Sequence, residues 1–514
     1  MARSKKGLAH VDNSGTRLMD LSAGRTRAAI LKMKVERASG RFARNRWMAL
    51  GSAFFLYGVI AWLLSEEARR GDWWLHGAWC IGGVGLAAPV LLKTIQKGFG
   101  MVLRDHLFMF TGSFALYFLI GASFMTFGPS DEIAGSLRDY YVDAPMGLKT
   151  DALNAIGFGI ALIVAAISPR GWSYRSAGRI ARPASHIRPA VAILWLMVFG
   201  LVALLYTLTY DFGFREGVVP GVVRAASYFL FVAIYIGASY RGSWAAAIRV
   251  AAVALAVVLA VVGVLLFNKS EILLSLSVLI AGLTMVYRRT LVLTIGILLL
   301  GAVYFSVSGL AAYGRNTLGR DLGAPIAMRW DIVQQWLSMN KRGEPRTDSS
   351  SWQRLSYVTS QGAAIDFYDA GRGGDELRLI PWLFVPRVIA SQKPVITEYG
   401  SEFYYKISGQ RGSSTGQGIF VSGYYNGGWE GLIVVAAVCG WILAQTSSVA
   451  LAVLERRALV LLPLALLGVY IAFRIDGHFL GDYLGTFVFF LYFLLLSALL
   501  PISMNQPWRH MGKV

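Results

Sequence analysis

Hydrophobic residues occur along this chain in long blocks that alternate with short charged connectors. A block of about 20 apolar residues can cross the roughly 30 Å hydrocarbon core of a bilayer as a helix, with some tilt where it is longer. The pattern therefore predicts an all-α polytopic membrane protein with about twelve transmembrane helices. The predicted spans are residues 47–64, 73–92, 105–127, 151–168, 189–210, 218–238, 244–267, 271–287, 290–311, 431–454, 457–474 and 483–501.

One polar segment, residues 312–430, is much longer than an ordinary connector, and loops of that length are usually functional or disordered. Within it, 325–339 and 352–368 carry apolar residues at helical spacing. Residues 376–391 are also apolar, but they are too short and too interrupted by proline to span a bilayer. We therefore predict a mostly helical cap whose last third returns to the membrane as an interfacial or re-entrant segment.

The charge pattern predicts the orientation of the spans. The chain has 49 Lys and Arg against 29 Asp and Glu, a formal net charge of +20. With the N-terminus in the cytoplasm, the inside segments hold 28 basic residues and the short outside segments hold about eight. Basic connectors face the cytoplasm in membrane proteins, so both termini are predicted to be cytoplasmic and the large loop to be outside. This use of the positive charge predicts no nucleic-acid partner.

The predicted organisation has five parts, and the first is a basic tail that either lies on anionic lipid as a helix or fixes the topology as a solvated tail. The parts are a cytoplasmic tail at 1–46, nine spans within 47–311, the large loop at 312–430, three spans within 431–501 and a cytoplasmic tail at 502–514.

The cysteines and the missing motifs argue against several classes of protein. Cys80 and Cys439 both lie inside apolar blocks, so they predict neither a disulfide framework nor a metal-ligand cluster. The basic N-terminal region has no cleavable signal pattern. We find no Walker motif and no glycine-rich nucleotide fingerprint, which argues against a cytosolic nucleotide-sugar enzyme. The sequence therefore predicts no cofactor and no metal site.

The end of the large loop has the residue types of an anion site beside a sugar-binding surface. Arg387, Lys393 and Arg411 precede a stretch of hydroxyl-bearing and small residues at 412–418. Cations and exposed backbone N–H groups bind anions, and aromatic rings pack on sugar rings. The other reading is that the cations meet lipid phosphates and the aromatics form an interface belt. The aromatic residues are Tyr424, Tyr425 and Trp429.

A second polar cluster follows the eleventh predicted span. It contains Arg474, Asp476, His478 and Asp482. Charges this dense at the edge of a membrane are costly unless they are paired or functional. The cluster is therefore either a structural ion pair of Arg474 with one of the two aspartates, or part of a catalytic site.

Residues 386–428 resemble the Wzy-type O-antigen and exopolysaccharide repeat-unit polymerases. Those proteins end a large late periplasmic loop with a Pro-Arg pair, a Lys-Pro pair, a Ser/Thr-Gly patch and an aromatic-Asn-Gly turn. The matching residues are Pro386-Arg387, Lys393-Pro394, Ser413-Ser414-Thr415-Gly416 and Tyr425-Asn426-Gly427-Gly428. The resemblance covers about 50 residues, and outside them only the pattern of spans is similar.

The resemblance implies a glycosyltransferase of the bacterial inner membrane that polymerises undecaprenyl-diphosphate-linked oligosaccharides at the periplasmic face, with a chain-length regulator protein as a partner. An acceptor hydroxyl would attack the anomeric carbon, and the lipid diphosphate would leave. Arginine suits the charge that develops on that leaving group. The diphosphate-binding candidates are Arg387, Lys393, Arg411 and Arg474, and the candidates for a base are Glu402, Glu398, His478 and Asp476. The aromatic trio would bind glycan, and Arg387, Arg411, Glu402 and His478 would be catalytic.

Two other functions remain compatible with the sequence. An O-antigen ligase-like enzyme would use the same donor with a different terminal acceptor, and its plan of spans would look alike. A transporter of the lipid-linked repeat would show repeated halves, broken helices and charges in mid-membrane, which the sequence does not display.

Overall fold

The computed structural model describes most of the chain, and the described residues form helices and connecting segments without strands. The description covers residues 44–95, 100–138, 140–216, 219, 221–287, 289–318, 323–342, 352–385, 389–390, 392–394, 396, 399–409 and 414–504.

Sixteen of the helices in the described part of the chain position the candidate site. They are α1 (Arg44–Glu67), α2 (Trp73–Ile95), α3 (His106–Phe127, π-helical at Ala115–Gly121), α4 (Ala144–Ile167), α5 (Gly171–Ala184), α6 (Pro189–Asp211), α7 (Phe229–Ser239), α8 (Ala245–Leu265), α9 (Lys269–Thr284), α10 (Arg289–Leu318), α11 (Ile326–Arg342), α12 (Val358–Asp369), α13 (Tyr399–Ser408), α14 (Ile419–Glu455), α15 (Leu462–Phe473) and α16 (Gly485–Met504).

Nine helices among the described residues are long and apolar enough to cross a membrane. They correspond to nine of the twelve predicted spans, which confirms a helical membrane protein. The remaining three predictions fall on shorter helices, at Val223–Ser239, Lys269–Thr284 and Leu459–Phe473. The predicted helical segments of the large loop also form, as α11 and α12.

The start of α4 differs from the prediction. The helix begins at Ala144 rather than at residue 151, because Asp143 caps it by accepting a hydrogen bond from the Met146 amide at 3.0 Å. Pro145 then fits the first turn, where its missing N–H is not needed. Asp151, the first residue of the predicted span, therefore lies well inside the helix and is buried.

The largest core joins α1 to α4 with α12 and α14 to α16. The helices α4 and α14 pack so closely that a Cβ added at Gly440 would collide with the carbonyl oxygen of Ala161. Small residues allow this approach in membrane proteins, where packing rather than burial from water drives association. Smaller cores hold α6 to α9 together, and α10 against α11.

The helix α14 folds back on itself near its start. Gly427 and Gly428 have non-helical dihedrals, and φ at Gly428 is +59°, a left-handed value that glycine adopts readily. A Cβ at Gly431 would meet the carbonyl oxygen of Gly423, so the first part, 419–426, lies beside the second. The ring of Phe420, in this first part, contacts Gly157 in the middle of α4. The segment that enters the bundle is therefore 414–426.

The helix α15 is also interrupted inside the bundle. It ends at Phe473, whose ring contacts Tyr117 of α3 at 5.7 Å between centroids. Residues 474–478 are not helical, and the chain returns through the π-helical segment Phe479–Leu484 into α16. The predicted eleventh span, 457–474, therefore corresponds to a shorter helix, Leu462–Phe473, that ends just before Arg474.

Candidate functional site

The segment that leads into α14 contacts the segment that follows α15 through backbone hydrogen bonds. The Gly418 and Ile419 amides donate to the carbonyl oxygens of Asp476 and Ile475, at 3.2 and 3.0 Å. Gly416 has no room for a side chain, because its Cβ would collide with the Asp476 carbonyl. The hydroxyl-rich segment before α14 and the charged segment after α15 thus form one wall inside the bundle.

Arg474 anchors the charged part of this wall. Its guanidinium forms an ion pair with Asp482, and the second carboxylate oxygen of Asp482 accepts the His478 amide at 3.0 Å. Asp476 accepts a hydrogen bond from the Tyr357 hydroxyl at 3.0 Å. The structure therefore contains the Arg474–Asp482 pair that the sequence left open, and the remaining groups of the cluster surround it.

The ring of His478 is held in one tautomer. Its Nε2 atom lies 2.9 Å from the carbonyl oxygen of Thr415. A carbonyl only accepts, so Nε2 carries the hydrogen in this contact. In the neutral ring, Nδ1 then has a free lone pair, and this atom is buried without a hydrogen-bond partner. His478 can therefore accept a proton at Nδ1 while Thr415 fixes the ring.

Unsatisfied polar atoms concentrate at this place. Seven of the fourteen buried side-chain nitrogen and oxygen atoms that lack a partner among the described residues belong to the wall and its neighbours. Each such atom costs about 1–3 kcal/mol when nothing replaces its hydrogen bond to water. Their concentration indicates a site for a polar ligand. They are Ser356 Oγ, Glu376 Oε2, Gln417 Oε1 and Nε2, Arg474 Nε, Asp476 Oδ1 and His478 Nδ1.

Three cations from separate elements, Lys269, Arg315 and Arg354, lie near one another, and we call them the cation trio; Lys269 also lies near Asp476 of this wall. Arg315 donates to the Phe267 carbonyl and Arg354 to the Ser308 carbonyl, both at 3.0 Å. Burial and, after it, the nearby charges of Arg354 and Arg315 lower the pKa of Lys269 to about 8, while Asp476 acts in the opposite direction. Like charges held this close favour an anionic ligand.

The predicted aromatic surface is mostly packed into the protein. Tyr425 is 1% exposed and accepts a hydrogen bond from Lys406 at 3.2 Å. Tyr424 is 5% exposed, and its hydroxyl donates to Asp369 at 2.8 Å. Trp429 is 38% exposed and packs against Trp62. The two tyrosines are thus buried and hydrogen-bonded within the protein, whereas Trp429 is partly exposed at the surface of the bundle.

The other predicted residues are spread more widely. Arg387, Arg411 and Glu398 lie outside the described residues. Lys393 donates to the Val385 carbonyl at 3.0 Å. Glu402 is exposed on α13. Among the predicted residues, the structure therefore brings together Arg474, Asp476, His478 and Asp482.

Sequence reasoning missed the cation trio, Gln417 and Glu376. Lys269 and Arg315 stand near the ends of predicted spans, where a basic residue is ordinary, and Arg354 lies within the large polar loop. Gln417 belongs to the 412–418 stretch, but its complete burial depends on tertiary packing. Comparing the cations at span ends that share one face of the membrane would have found Lys269 and Arg315 but not Arg354.

A separate buried cluster joins His76 and Cys80 on α2 to Asp151 on α4. Their potential ligand atoms lie within 4.8 Å of one another, although the sequence predicted no metal-ligand cluster. His76 Nδ1 is 2.6 Å from Asp151 and Nε2 is 3.0 Å from the Ala122 carbonyl, so both ring nitrogens already have partners. We interpret this cluster as a buried hydrogen-bonded pair that supports the end of the π-helical turn in α3.

Comparison with protein-family models, with curated proteins and with solved structures finds no match to this chain.

Proposed function

We propose that this protein is a membrane-embedded glycosyltransferase that polymerises oligosaccharide repeat units carried on undecaprenyl diphosphate. The observation that carries the proposal is that Arg474 belongs to a wall rich in unsatisfied polar atoms, with Lys269 of the cation trio near Asp476 of that wall. Such a site suits a ligand that has both a diphosphate and many hydroxyl groups. The Wzy-type resemblance at 386–428 supports the same substrate class.

In this mechanism the cations act on the leaving group. The acceptor hydroxyl attacks the anomeric carbon, and the bond to the diphosphate breaks with its electron pair on the diphosphate oxygen. Guanidinium groups fixed before the reaction stabilise that charge without reorganising, which lowers the barrier. Arg474 is suited to this role because Asp482 holds one side of its guanidinium while Nε has no protein partner.

The same arrangement ranks the candidates for a base. His478 offers an oriented ring whose Nδ1 is buried without a hydrogen-bond partner, whereas Glu402 is exposed on α13. A base within reach of the acceptor hydroxyl contributes about 10²–10⁴-fold to such reactions. We therefore assign His478 as the group that accepts the hydroxyl proton.

The proposed setting is the periplasmic face of a bacterial inner membrane, with both termini in the cytoplasm. The asymmetry of Lys and Arg between the connectors supports that orientation. A chain-length regulator is the expected protein partner, because the resemblance implies one. A ligase-like enzyme would use the same donor site, and it differs only in its acceptor.

A transporter of lipid-linked oligosaccharide is the second candidate. It is favoured by the interrupted helices α14 and α15 and by the His76–Asp151 pair inside the bundle, since transporters bind substrates at broken helices. A group of cations beside an oriented base is better suited to a glycosyl-transfer reaction than to transport of the substrate across the membrane.

The test is to delete the gene and to analyse surface glycan together with lipid-linked oligosaccharides. Loss of polymer with single repeat units retained at the surface or on the outward-facing carrier supports the polymerase. Full-length polymer that stays on the carrier would indicate a ligase. Repeat units trapped on the cytoplasmic side would indicate a transporter. Unchanged glycan would exclude the polymerase, the ligase and the transporter functions.

A further inference from the structure

Glu376 lies beside the site, although no sequence motif includes it. Its side chain is 5% exposed, and the turn that it begins, Glu376–Leu379, packs against the π-helical segment Phe479–Leu484. The backbone holds it there, because the Glu376 amide donates to Asn426 Oδ1 at 2.7 Å. Glu376 is therefore fixed next to the segment that carries His478.

Burial raises the pKa of the Glu376 carboxyl group, and positive charge on the nearby His478 ring or on Lys406 acts to lower it. Lys406 is already engaged with the hydroxyl of Tyr425. One carboxyl oxygen, Oε2, has no hydrogen-bond partner.

A base at His478 creates a charge that the site must accommodate. When Nδ1 accepts a proton, the ring becomes a cation in a buried place, which is costly without an opposite charge nearby. Asp482 is paired with Arg474, and Asp476 accepts from Tyr357. Glu376 remains as a carboxyl group that neither of these interactions uses.

We propose that Glu376 is a positioning residue that stabilises the imidazolium formed when His478 takes the proton of the acceptor hydroxyl. This role rests on the proposed glycosyl transfer. In that step the acceptor oxygen bonds to the anomeric carbon, the electron pair of the broken bond leaves with the diphosphate, and the proton moves to His478 Nδ1. Glu376 stays ionised and offsets the positive charge of the ring, while the Thr415 carbonyl orients the ring.

The first test compares rates across pH for the full-length protein in liposomes, with lipid-linked repeat units extracted from cells that lack the protein. We expect Glu376→Gln to lower kcat by about 10²-fold, within the range for general-base catalysis. The acidic limb of the pH–rate profile of this variant should move to lower pH, because the imidazolium of His478 loses a stabilising negative charge. Glu376→Asp should recover part of the rate. The charged groups that face this pair are Lys406 from α13, Asp375 beside Glu376, and Arg474, Asp476 and Asp482 from 474–484.

The matched control is Glu66→Gln, which neutralises an exposed glutamate at the end of α1 and should leave rate and profile unchanged. A Glu376→Gln variant with a lower rate but an unmoved acidic limb would overturn the proposal, since a structural defect alone gives that result. A normal rate in this variant would also overturn it.

A second readout does not need turnover. The His478 ring signal can be followed by NMR during a pH titration of the purified protein, with the His478→Gln variant to assign it. We expect a lower titration midpoint in Glu376→Gln than in the wild type. If the wild type consumes no lipid-linked repeats, the proposed function fails while a midpoint shift still supports the coupling. Equal midpoints would contradict the coupling whatever the activity.

Discussion

At the scale of single residues, Arg474 combines a structural pair with a free donor. It is paired with Asp482, and its Nε atom lacks a protein partner. We expect Arg474→Ala to lower polymer formation by about 10²–10³-fold, the usual loss when one fixed donor to a developing anion is removed. Arg474→Lys should rescue little, because an ammonium cannot reproduce the two-pronged geometry.

The measurement is the glycan ladder of cells that express each variant, with membrane levels of the protein determined in parallel. Arg372→Ala is the control, because Arg372 is exposed and only 3.8 Å from the exposed Asp366. Normal polymer from Arg474→Ala at a normal protein level would remove this residue from the site.

The His76–Asp151 pair makes a different kind of prediction, which concerns stability. The two side chains are 2.6 Å apart and fully buried. Removing one partner leaves an uncompensated polar group in the bundle, so His76→Ala should lower the free energy of unfolding by about 3–5 kcal/mol. Thermal unfolding in detergent measures this, and Arg70→Ala, at an exposed pair, should change it little. Equal stability of both variants would contradict a buried pair.

At the scale of elements, the fold-back of α14 depends on one glycine of a neighbouring pair. Gly428 has φ +59°, and a Cβ there would press on the Tyr368 hydroxyl. Gly427 has no atoms near its Cβ position and a φ of −165°. We expect Gly428→Ala to lower the melting temperature and the activity, since the left-handed conformation costs about 1–2 kcal/mol outside glycine.

Gly427→Ala is the matched control for this effect, and it should behave almost as the wild type. Melting temperature and glycan ladder are measured together for the two variants. Similar behaviour of both would show that the fold-back does not depend on the left-handed residue.

Hydropathy predicted long helices well and interruptions poorly. Nine spans follow from apolar runs alone, because a run of that length has few other stable conformations. The helix α15 ends at Phe473, within one residue of the predicted end at 474, but hydropathy does not show that this helix ends inside the bundle. Asp143 and Pro145 mark the start of α4, and capping rules would have begun the span at Ala144 instead of residue 151.

The site was predictable only in part, for a related reason. Arg474 and His478 were found because charges are rare next to an apolar block. Glu376 and Gln417 carry no such contrast within the polar loop, and their burial arises when 414–426 enters the bundle. The cation trio comes from three elements that are far apart in sequence, so only the tertiary structure brings it together.

At the scale of the whole molecule, the predicted orientation has a direct test by cysteine labelling. Cys80 and Cys439 are buried, so the wild type should react little with a membrane-impermeant maleimide. A cysteine introduced at the exposed Asp131 should be labelled from outside in intact cells. One at the exposed Arg175, in the basic connector between α4 and α6, should be labelled only after the membrane is opened. The reverse result would invert the topology and place the long loop in the cytoplasm.

The whole molecule brings two groups of helices together around the wall formed by 414–418 and 474–478. The larger core supplies Arg474 and His478, while α9 and α10 supply Lys269 and Arg315. A lipid-linked substrate could keep its tail in the bilayer while its diphosphate reaches the cations. For the proposed transfer between lipid-anchored substrates, holding both reactants in line would supply much of the rate.

The central claim is that this protein joins lipid-diphosphate-linked oligosaccharides. The most direct measurement is to reconstitute the purified protein in liposomes with lipid-linked repeat units and to follow glycan length and released lipid diphosphate together. The account predicts one lipid diphosphate released for each repeat added, with both products lost in Arg474→Ala. Intact repeat units after incubation with the folded wild-type protein would contradict it.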